Sequence, residues 1–188
     1  MAFTVVYDAN VLYPAPLREL LVGLAQTGVV RACWTEEILN ECFRNILAQR
    51  PDLNQTRLRR TRELMNRAVR DCLITGYERL VPALALPDPS DRHVLAAAVR
   101  AGAEAIVTFN LKDFPGASLR PFGIEAMHPD VFIQELMDIS PEPVCAAVLD
   151  QVARLRNPPV LLPELLELFQ SQGLPASAAR LRKLLVRP

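Results

Sequence analysis

Two short apolar runs stand out along the chain and predict buried β-strands. The first covers Phe3–Tyr7 and ends at an acid, Asp8; the second covers residues 105–109. Neither run alternates apolar with polar residues, which is typical of strands in a parallel sheet with both faces covered. A further strand is predicted at residues 123–127, and residues 29–34 predict a short extended segment.

Apolar residues at helical spacing predict helices between these strands. The predicted helices cover residues 15–26, 35–49, 54–74 and 88–100. Thr35 is the expected N-cap of the second, because Glu36 and Glu37 follow it in the first turn. Residues 77–86 contain Pro82 and predict at best a short edge strand. This order of elements predicts an α/β fold with a small, mostly parallel sheet.

Beyond Pro129 the pattern predicts helices alone. They cover residues 130–137, 142–155, 163–172 and 175–185. We therefore divide the chain into an α/β domain at residues 1–138 and a C-terminal all-α extension at residues 139–188. The extension is too small to bury a core of its own, so it is expected to pack on the main domain or on a second subunit.

Composition argues against a membrane-spanning protein, a secreted disulfide-rich protein and a zinc protein. Of 188 residues, 51% are hydrophobic, yet no apolar run approaches the roughly 20 residues of a membrane span. The N-terminus lacks the basic start of a secretion signal. Four cysteines are scattered without a CxxC pair, which argues against a zinc site or a disulfide framework. We expect a cytoplasmic protein with reduced thiols and no contact with a membrane.

Acidic residues recur where the predicted strands and helices meet. Asp8 ends the first strand and Asp113 follows the second, while Asp91 begins the helix between them and Glu41 lies on an earlier helix. Each has a local explanation. A turn accounts for Asp8 and Asp113, and a solvated helix face accounts for Glu41. Helix capping accounts for the nearby Asp88, which we favour as the N-cap, with Asp91 reaching back to the same helix start. Their joint placement at the carboxyl edge of the sheet instead predicts a site for a hard divalent cation. Such a cation would relieve the repulsion between them.

The segments around these acids resemble four sequence blocks of PIN-domain ribonucleases. The blocks are residues 6–12, 38–41, 88–98 and 108–115. The likeness covers about residues 3–130 and is greatest to VapC-type toxins of type II toxin–antitoxin pairs, in particular longer members with a C-terminal helical extension. It implies a three-layer α/β/α fold and metal-dependent hydrolysis of RNA.

The resemblance also assigns roles to individual residues. It implies that Asp8, Asp91 and Asp113 contact Mg²⁺ or Mn²⁺, directly or through water, and that Glu41 orients a water on the metal. Further residues are implied to shape the site or to support it: Asn10, Asp88, Thr108 and Asn110. For Asp88 the resemblance leaves metal contact and helix capping both open. A homodimer and a small inhibitory antitoxin protein are implied as well.

The distribution of charge adds a possible contact surface. The formal net charge is zero, but eight arginines and only two acids lie between residues 44 and 70. Arg44, Arg57 and Arg60 are candidates to contact RNA phosphates or an acidic antitoxin tail, although a solvated helix face explains such a run equally well. Neither His93 nor His128 is expected to act as a general base, and His93 is expected to serve packing or capping.

Two other functions compete with the nuclease. A haloacid-dehalogenase-like phosphatase would use Asp8 as its nucleophile, but it needs a second Asp two residues later, where this chain has Asn10. A non-catalytic PIN-like module would bind RNA or protein without cleaving it, and the presence of all four acids argues against that reading. The RNA target, the antitoxin and the number of metal ions are not predicted.

Overall fold

A four-stranded parallel sheet forms the centre of the computed structural model, which describes residues 3–186. Its strands are β1 (Phe3–Tyr7), β2 (Val30–Cys33), β3 (Ala105–Val107) and β4 (Glu125–Met127), in the order β2-β1-β3-β4. Each neighbouring pair is parallel. The predicted α/β fold with a small parallel sheet is therefore confirmed.

Strands β3 and β4 are shorter than predicted. Strand β3 ends at Val107 because the chain turns over the next three residues, where the Asn110 backbone N–H donates to Thr108 Oγ1 at 3.0 Å. Strand β4 begins at Glu125, since Gly123 has a positive φ of 69° that ends the preceding turn.

Six helices precede the C-terminal region among the described residues: α1 (Ala9–Leu12), α2 (Ala15–Thr27), α3 (Glu36–Gln49), α4 (Gln55–Ala68), α5 (Arg92–Ala101) and α6 (Gly116–Leu119). Helices α3 and α4 each begin with a side-chain cap, and the cap at Thr35 is the one predicted from the sequence. The Thr35 hydroxyl accepts a hydrogen bond from the Ile38 N–H at 3.1 Å, and the Asn54 side chain accepts one from the Thr56 N–H at 2.8 Å. These bonds satisfy N–H groups that have no partner inside the helix.

Helix α4 ends at Ala68, so the prediction that it continues to residue 74 is wrong. Asp71 has a positive φ of 54°, and the chain beyond it runs extended beside Trp34. The Trp34 N–H donates to the Cys72 carbonyl at 2.8 Å, and the Ile74 N–H donates to the Trp34 carbonyl at 2.9 Å. Cys72 is buried as its apolar spacing predicted, but through tertiary pairing rather than in a helix.

Residues 77–86 contain no strand. They form turns and a single 3-10 turn at Val81–Ala83, because Pro82 cannot donate a ladder hydrogen bond. The following 3-10 turn, Pro89–Asp91, leads directly into α5.

Both faces of the sheet are covered. Val5, Val6 and Tyr7 are each fully buried, although consecutive strand residues point to opposite faces. Tyr7 donates its hydroxyl hydrogen to the Leu21 carbonyl of α2 at 3.3 Å, and its ring packs edge-on against Phe132 at a centroid distance of 6.1 Å. The three-layer α/β/α arrangement follows from this burial.

The C-terminal region consists of α7 (Pro129–Ile139), α8 (Pro141–Arg154), α9 (Leu162–Ser171) and α10 (Pro175–Leu185). It packs on the α/β domain of the same chain. Gln151 of α8 donates from Nε2 to the Pro16 carbonyl at 3.0 Å, and α8 lies so near α2 that a Cβ on Gly23 would meet the Ala147 Cβ at 3.4 Å. The division at residue 138 stays a prediction.

A buried carboxylate ties the last helix to α7. Asp130 accepts hydrogen bonds from the backbone N–H groups of Ala176 at 3.1 Å and Ser177 at 2.8 Å, both in the first turn of α10. Because unpaired N–H groups and a partial positive charge lie at a helix N-terminus, this carboxylate acts as a cap supplied from elsewhere in the chain.

Within residues 3–186, no helix combines the length and apolar character required to span a bilayer.

Candidate active site

The Asp8 carboxylate is buried at the carboxyl end of β1, where α1 begins. Its Oδ1 accepts a hydrogen bond from the Ala9 N–H at 2.7 Å, and its Oδ2 accepts from Asn10 Nδ2 and from the Thr108 hydroxyl, each at 2.8 Å. Burial raises the pKa of Asp8, the bonds from Thr108 and Ala9 lower it, and the charge of Glu41 raises it further. The net result is a raised pKa, because desolvation outweighs the donors.

Asn10 and Thr108 join the two central strands below this carboxylate. Asn10 donates from Nδ2 to Thr108 Oγ1 at 2.9 Å, and its Oδ1 accepts from the Phe109 N–H at 3.0 Å. Thr108 is fully buried. Both side chains therefore contact Asp8, and their supporting role in the site stays a prediction. Asn110 differs, because the bond that joins it to this network comes from its backbone N–H to Thr108 Oγ1.

Three further acids lie near Asp8, and their negative charges raise the pKa of one of them, Asp91. The pKa of Asp91 is raised to about 6, first by burial and then by the negative charges of Asp8, Asp88, Asp113 and Glu41. Asp91 lies in the 3-10 turn before α5, Asp113 ends a 3-10 turn after β3, and Glu41 lies on α3. The fold therefore brings the predicted acids from four separate segments into one electrostatic neighbourhood.

The acids lie near one another but do not form a complete set of metal ligands. Across the part of the chain that the structure describes, no three Asp, Glu, His or Cys side chains are placed to ligate a single ion together. Carboxylates at a shared site repel one another, and Mg²⁺ keeps several waters while it takes only one or two carboxylates directly. Asp8 Oδ1 accepts only one hydrogen bond and keeps an unused lone pair. The donor set thus fits a hard cation bound partly through water.

Asp88 caps the turn that precedes α5. Its Oδ1 accepts from the Ser90 N–H at 2.8 Å and from the Ser90 hydroxyl at 2.7 Å, and the side chain is exposed. The capping role favoured from the sequence is confirmed. The accompanying expectation that Asp91 also reaches back to cap the helix is wrong, because the Asp91 side chain makes no capping hydrogen bond.

His93 contacts the acidic cluster, which the sequence did not predict. It is buried on α5, with Nε2 at 3.6 Å from Glu41 Oε2 and Nδ1 at 3.8 Å from Glu37 Oε2. Burial lowers the pKa of His93, but the close approach of Glu41 and the negative charges of Glu37, Glu41 and Asp8 together raise it more. His128 caps helix α7: its Nδ1 accepts from the Asp130 N–H at 3.2 Å.

The arginines divide into anchored and exposed side chains. Arg62 donates to Asn40 Oδ1 at 2.7 Å and pairs with Glu36, which fixes α4 to the start of α3. The three candidate contacts, Arg44, Arg57 and Arg60, are exposed. Arg44 lies one turn after Glu41 on α3 and lines the same cavity as Glu41 and His93.

Comparison with known proteins agrees with this architecture. The PIN-domain family model matches residues 4–112, and the model of the VapC50 C-terminal domain matches residues 129–183. A curated protein of Mycobacterium tuberculosis (strain ATCC 25618 / H37Rv), named "Putative ribonuclease VapC50", is 43% identical over 109 residues. That alignment covers 58% of this chain and 63% of the relative, less than two thirds of its length. No solved structure matches the chain.

The chain belongs to the PIN-domain family. Two findings confirm the predicted likeness to VapC-type members that carry a C-terminal extension. The C-terminal helices match the VapC50 C-terminal domain model, and the 43% identical relative is named a VapC ribonuclease.

Proposed function

We propose that this protein is a metal-dependent endoribonuclease that hydrolyses phosphodiester bonds in RNA, and that it is the toxin of a toxin–antitoxin pair. The observation that carries the proposal is the convergence on Asp91 of negative charge from Asp8, Glu41 and Asp113, three acids from separate segments. The name of the M. tuberculosis relative supports ribonuclease activity.

In this proposal Asp8, Asp91 and Asp113 hold Mg²⁺ or Mn²⁺, directly or through water. When bound, such an ion polarises a phosphoryl oxygen and lowers the pKa of a water molecule. Glu41 is half-buried and its negative charge acts on Asp91, so it would orient a water molecule at the site and serve as the proton acceptor. His93 fixes Glu41 from the side of α5 through the 3.6 Å contact. Thr108 and Asn10 fix Asp8.

Substrate binding is assigned to the exposed arginines. Arg44, Arg57 and Arg60 would contact RNA phosphates, or an acidic segment of an antitoxin when the toxin is inhibited. Arg44 has the most direct role because it lies one helical turn from Glu41. A zero formal net charge favours such local contacts over long-range attraction of a nucleic acid.

The remaining assignments follow from the family. We propose a homodimer, inhibition by a small antitoxin protein, and a cytoplasmic location. All four cysteines are free and three of them are buried, as expected for a reducing compartment.

Cleavage of an end-labelled structured RNA tests the proposal. The purified protein is incubated with Mn²⁺, with EDTA, and as the Asp8→Asn variant. Asp150→Asn is the matched control, because Asp150 is an exposed acid on α8. We expect cleavage by the wild type and the control, and none after chelation or in Asp8→Asn.

Other results would identify the competing functions. Cleavage that persists in both EDTA and Asp8→Asn would contradict the proposed site. RNA binding without cleavage would indicate a non-catalytic module. Turnover of a small phosphate ester through an aspartyl-phosphate would indicate a phosphatase, although Asn10 is an amide engaged with Asp8 and Thr108 and cannot serve as the acid–base that this chemistry needs.

A further inference from the structure

A second feature of the site is an open cleft on one side of Glu41. It lies between the end of α1 and the C-terminal half of α3, and its volume is about 320 Å³. Its lining includes Asn10, Tyr13, Glu41, Asn45 and Gln49. Asn10 also bonds to Asp8, so the cleft opens directly beside the candidate metal ligands.

The sequence of α3 explains why these side chains form one wall. Glu41, Asn45 and Gln49 are spaced four residues apart, so they lie in a row along one helix face. The opposite wall is the half-buried Tyr13, whose hydroxyl donates to Gln49 Oε1 at 2.7 Å. Asn45 is exposed between them, so its amide is open to a ligand.

The two sides of Glu41 differ in chemistry. On the other side, a cavity of about 550 Å³ has a lining of mixed charge, in which Arg44 and His93 stand beside Glu37 and Glu41, and Arg44 is the group there that suits a phosphate. The cleft beside Tyr13 has amides and an aromatic ring, and Glu41 is its only charged lining residue among those described. Amides offer paired donors and acceptors to the edges of bases, and aromatic rings stack on their faces.

Size favours one small ligand. Ligand pockets span roughly 300–1,000 Å³, and about 320 Å³ lies at the lower end of that range. A single unstacked nucleobase suits such a space, as in RNA loops whose bases are splayed out for recognition.

We propose that the cleft between Tyr13 and Asn45 binds the nucleobase adjacent to the phosphodiester bond that is cut, and that the Asn45 amide sets the preference for that base. This inference rests on the proposed ribonuclease function and adds a specificity-determining residue to it. The ring of Tyr13 packs on the face of the base, and Gln49 holds the tyrosine in place through its hydrogen bond.

Base-dependent binding tests the proposal without requiring cleavage. Fluorescence anisotropy with labelled ribotetranucleotides of A, C, G or U is measured in an Asp8→Asn background, which is expected to leave the RNA intact and removes one negative charge. Asn45→Ala is compared with Gln170→Ala, an exposed amide on α9 far along the chain. Alanine favours helix at both positions, so both variants should fold.

We expect one base to bind more tightly than the weakest by about 5- to 150-fold, the range for one amide-to-base contact. Asn45→Ala should abolish that difference, and Gln170→Ala should retain it. The same pattern should appear at the cut sites when Asp8-containing protein digests a randomised RNA pool with Mn²⁺.

Equal binding of all four tetranucleotides, or an unchanged preference in Asn45→Ala, would overturn the inference. The proposed function fails separately: if the wild type cuts no RNA but Asn45→Ala still removes a base preference in binding, the cleft assignment stands and the nuclease does not. If RNA is cut in an Asp8-dependent way with no base preference, the nuclease stands and the cleft assignment falls.

Discussion

The Thr108 hydroxyl donates to Asp8 Oδ2 at 2.8 Å, and this bond joins residues 100 positions apart in the chain. Asp8 follows β1 and Thr108 follows β3, the two strands at the centre of the sheet. The bond is fully buried, so the position of the Asp8 carboxylate depends on the pairing of these strands. The pairing of β1 with β3 therefore positions a side chain of the candidate site.

Thr108→Val should therefore damage the site more than the fold. Valine keeps the shape of threonine but removes the hydroxyl, which leaves Asp8 and Asn10 short of one partner. We expect a loss of about 1–3 kcal/mol in the free energy of unfolding, measured by urea titration, and a fall in RNA cleavage. Thr108→Ser keeps the hydroxyl and should retain most activity. Equal activity of the valine and serine variants would show that the hydroxyl does not position Asp8.

Asp91→Asn should stabilise the protein at neutral and alkaline pH. The folded protein raises the pKa of Asp91 from 3.8 to about 6, so ionising this carboxyl costs more in the folded protein than in the unfolded chain. In the wild type, this group lowers the free energy of unfolding as pH rises between those two values. Because Asp91 is only half-buried, we expect a gain of about 1 kcal/mol in the variant at neutral pH, well below the unscreened value.

Thermal unfolding of Asp91→Asn and the wild type across this pH range, without divalent cations, measures the difference. The two should differ least near pH 4 and most above pH 6. A constant difference at all pH values would show that burial and the acidic neighbours do not raise the pKa of Asp91 in the folded protein.

His93→Leu should impair cleavage because it removes the group that faces Glu41 from α5. Residues that hold metal-site side chains typically contribute 10- to 100-fold to activity or metal affinity, and we expect an effect on the order of that range. His93→Gln keeps a donor and should recover part of the activity. Thermal unfolding checks that both variants fold, since His93 is buried. Wild-type cleavage by a folded His93→Leu would remove this residue from the site.

Asp130→Ala should loosen the C-terminal extension. The substitution leaves the N–H groups of Ala176 and Ser177 without their acceptor at a largely buried position, so we expect a loss of about 2–3 kcal/mol in unfolding free energy. The matched control is Asp138→Ala, which removes an ion pair with Arg180 at the surface and should cost less than about 1 kcal/mol. Losses of equal size in the two variants would contradict the capping role of Asp130.

Local sequence signals predicted much of this fold. Apolar runs located three of the four strands, whereas residues 29–34 predicted only an extended segment where β2 lies. Thr35 marked a helix start through its own side chain. The end of α4 was predicted wrongly because Val69 and Cys72 continue a helical apolar spacing. Both residues are buried, but the chain beyond α4 is extended and pairs with Trp34. The spacing of apolar residues predicts which residues are buried. Here the pairing with Trp34, rather than that spacing, determines the backbone conformation.

The candidate site shows the same limit. Asp8 and Asp113 follow strands and could be predicted from the rule that ligands bind at the carboxyl edge of a parallel sheet. The contact of His93 with Glu41 joins α5 to α3, and no local signal reports it. The one sequence feature that could have indicated His93 is its position. It lies two residues after Asp91, on a helix whose other residues are mostly alanine and valine.

In the proposed function, Asp8, Asp91, Asp113 and Glu41 bind one divalent cation, some of them directly and the others through water. Anomalous diffraction from crystals of the protein soaked in Mn²⁺ tests it most directly. We expect a strong anomalous peak beside the Asp8 carboxylate, within direct or water-mediated reach of Asp91, Asp113 and Glu41, and no such peak in crystals of Asp8→Asn. A Mn²⁺ peak elsewhere with none among these carboxylates, or a peak that persists unchanged in Asp8→Asn, would contradict it.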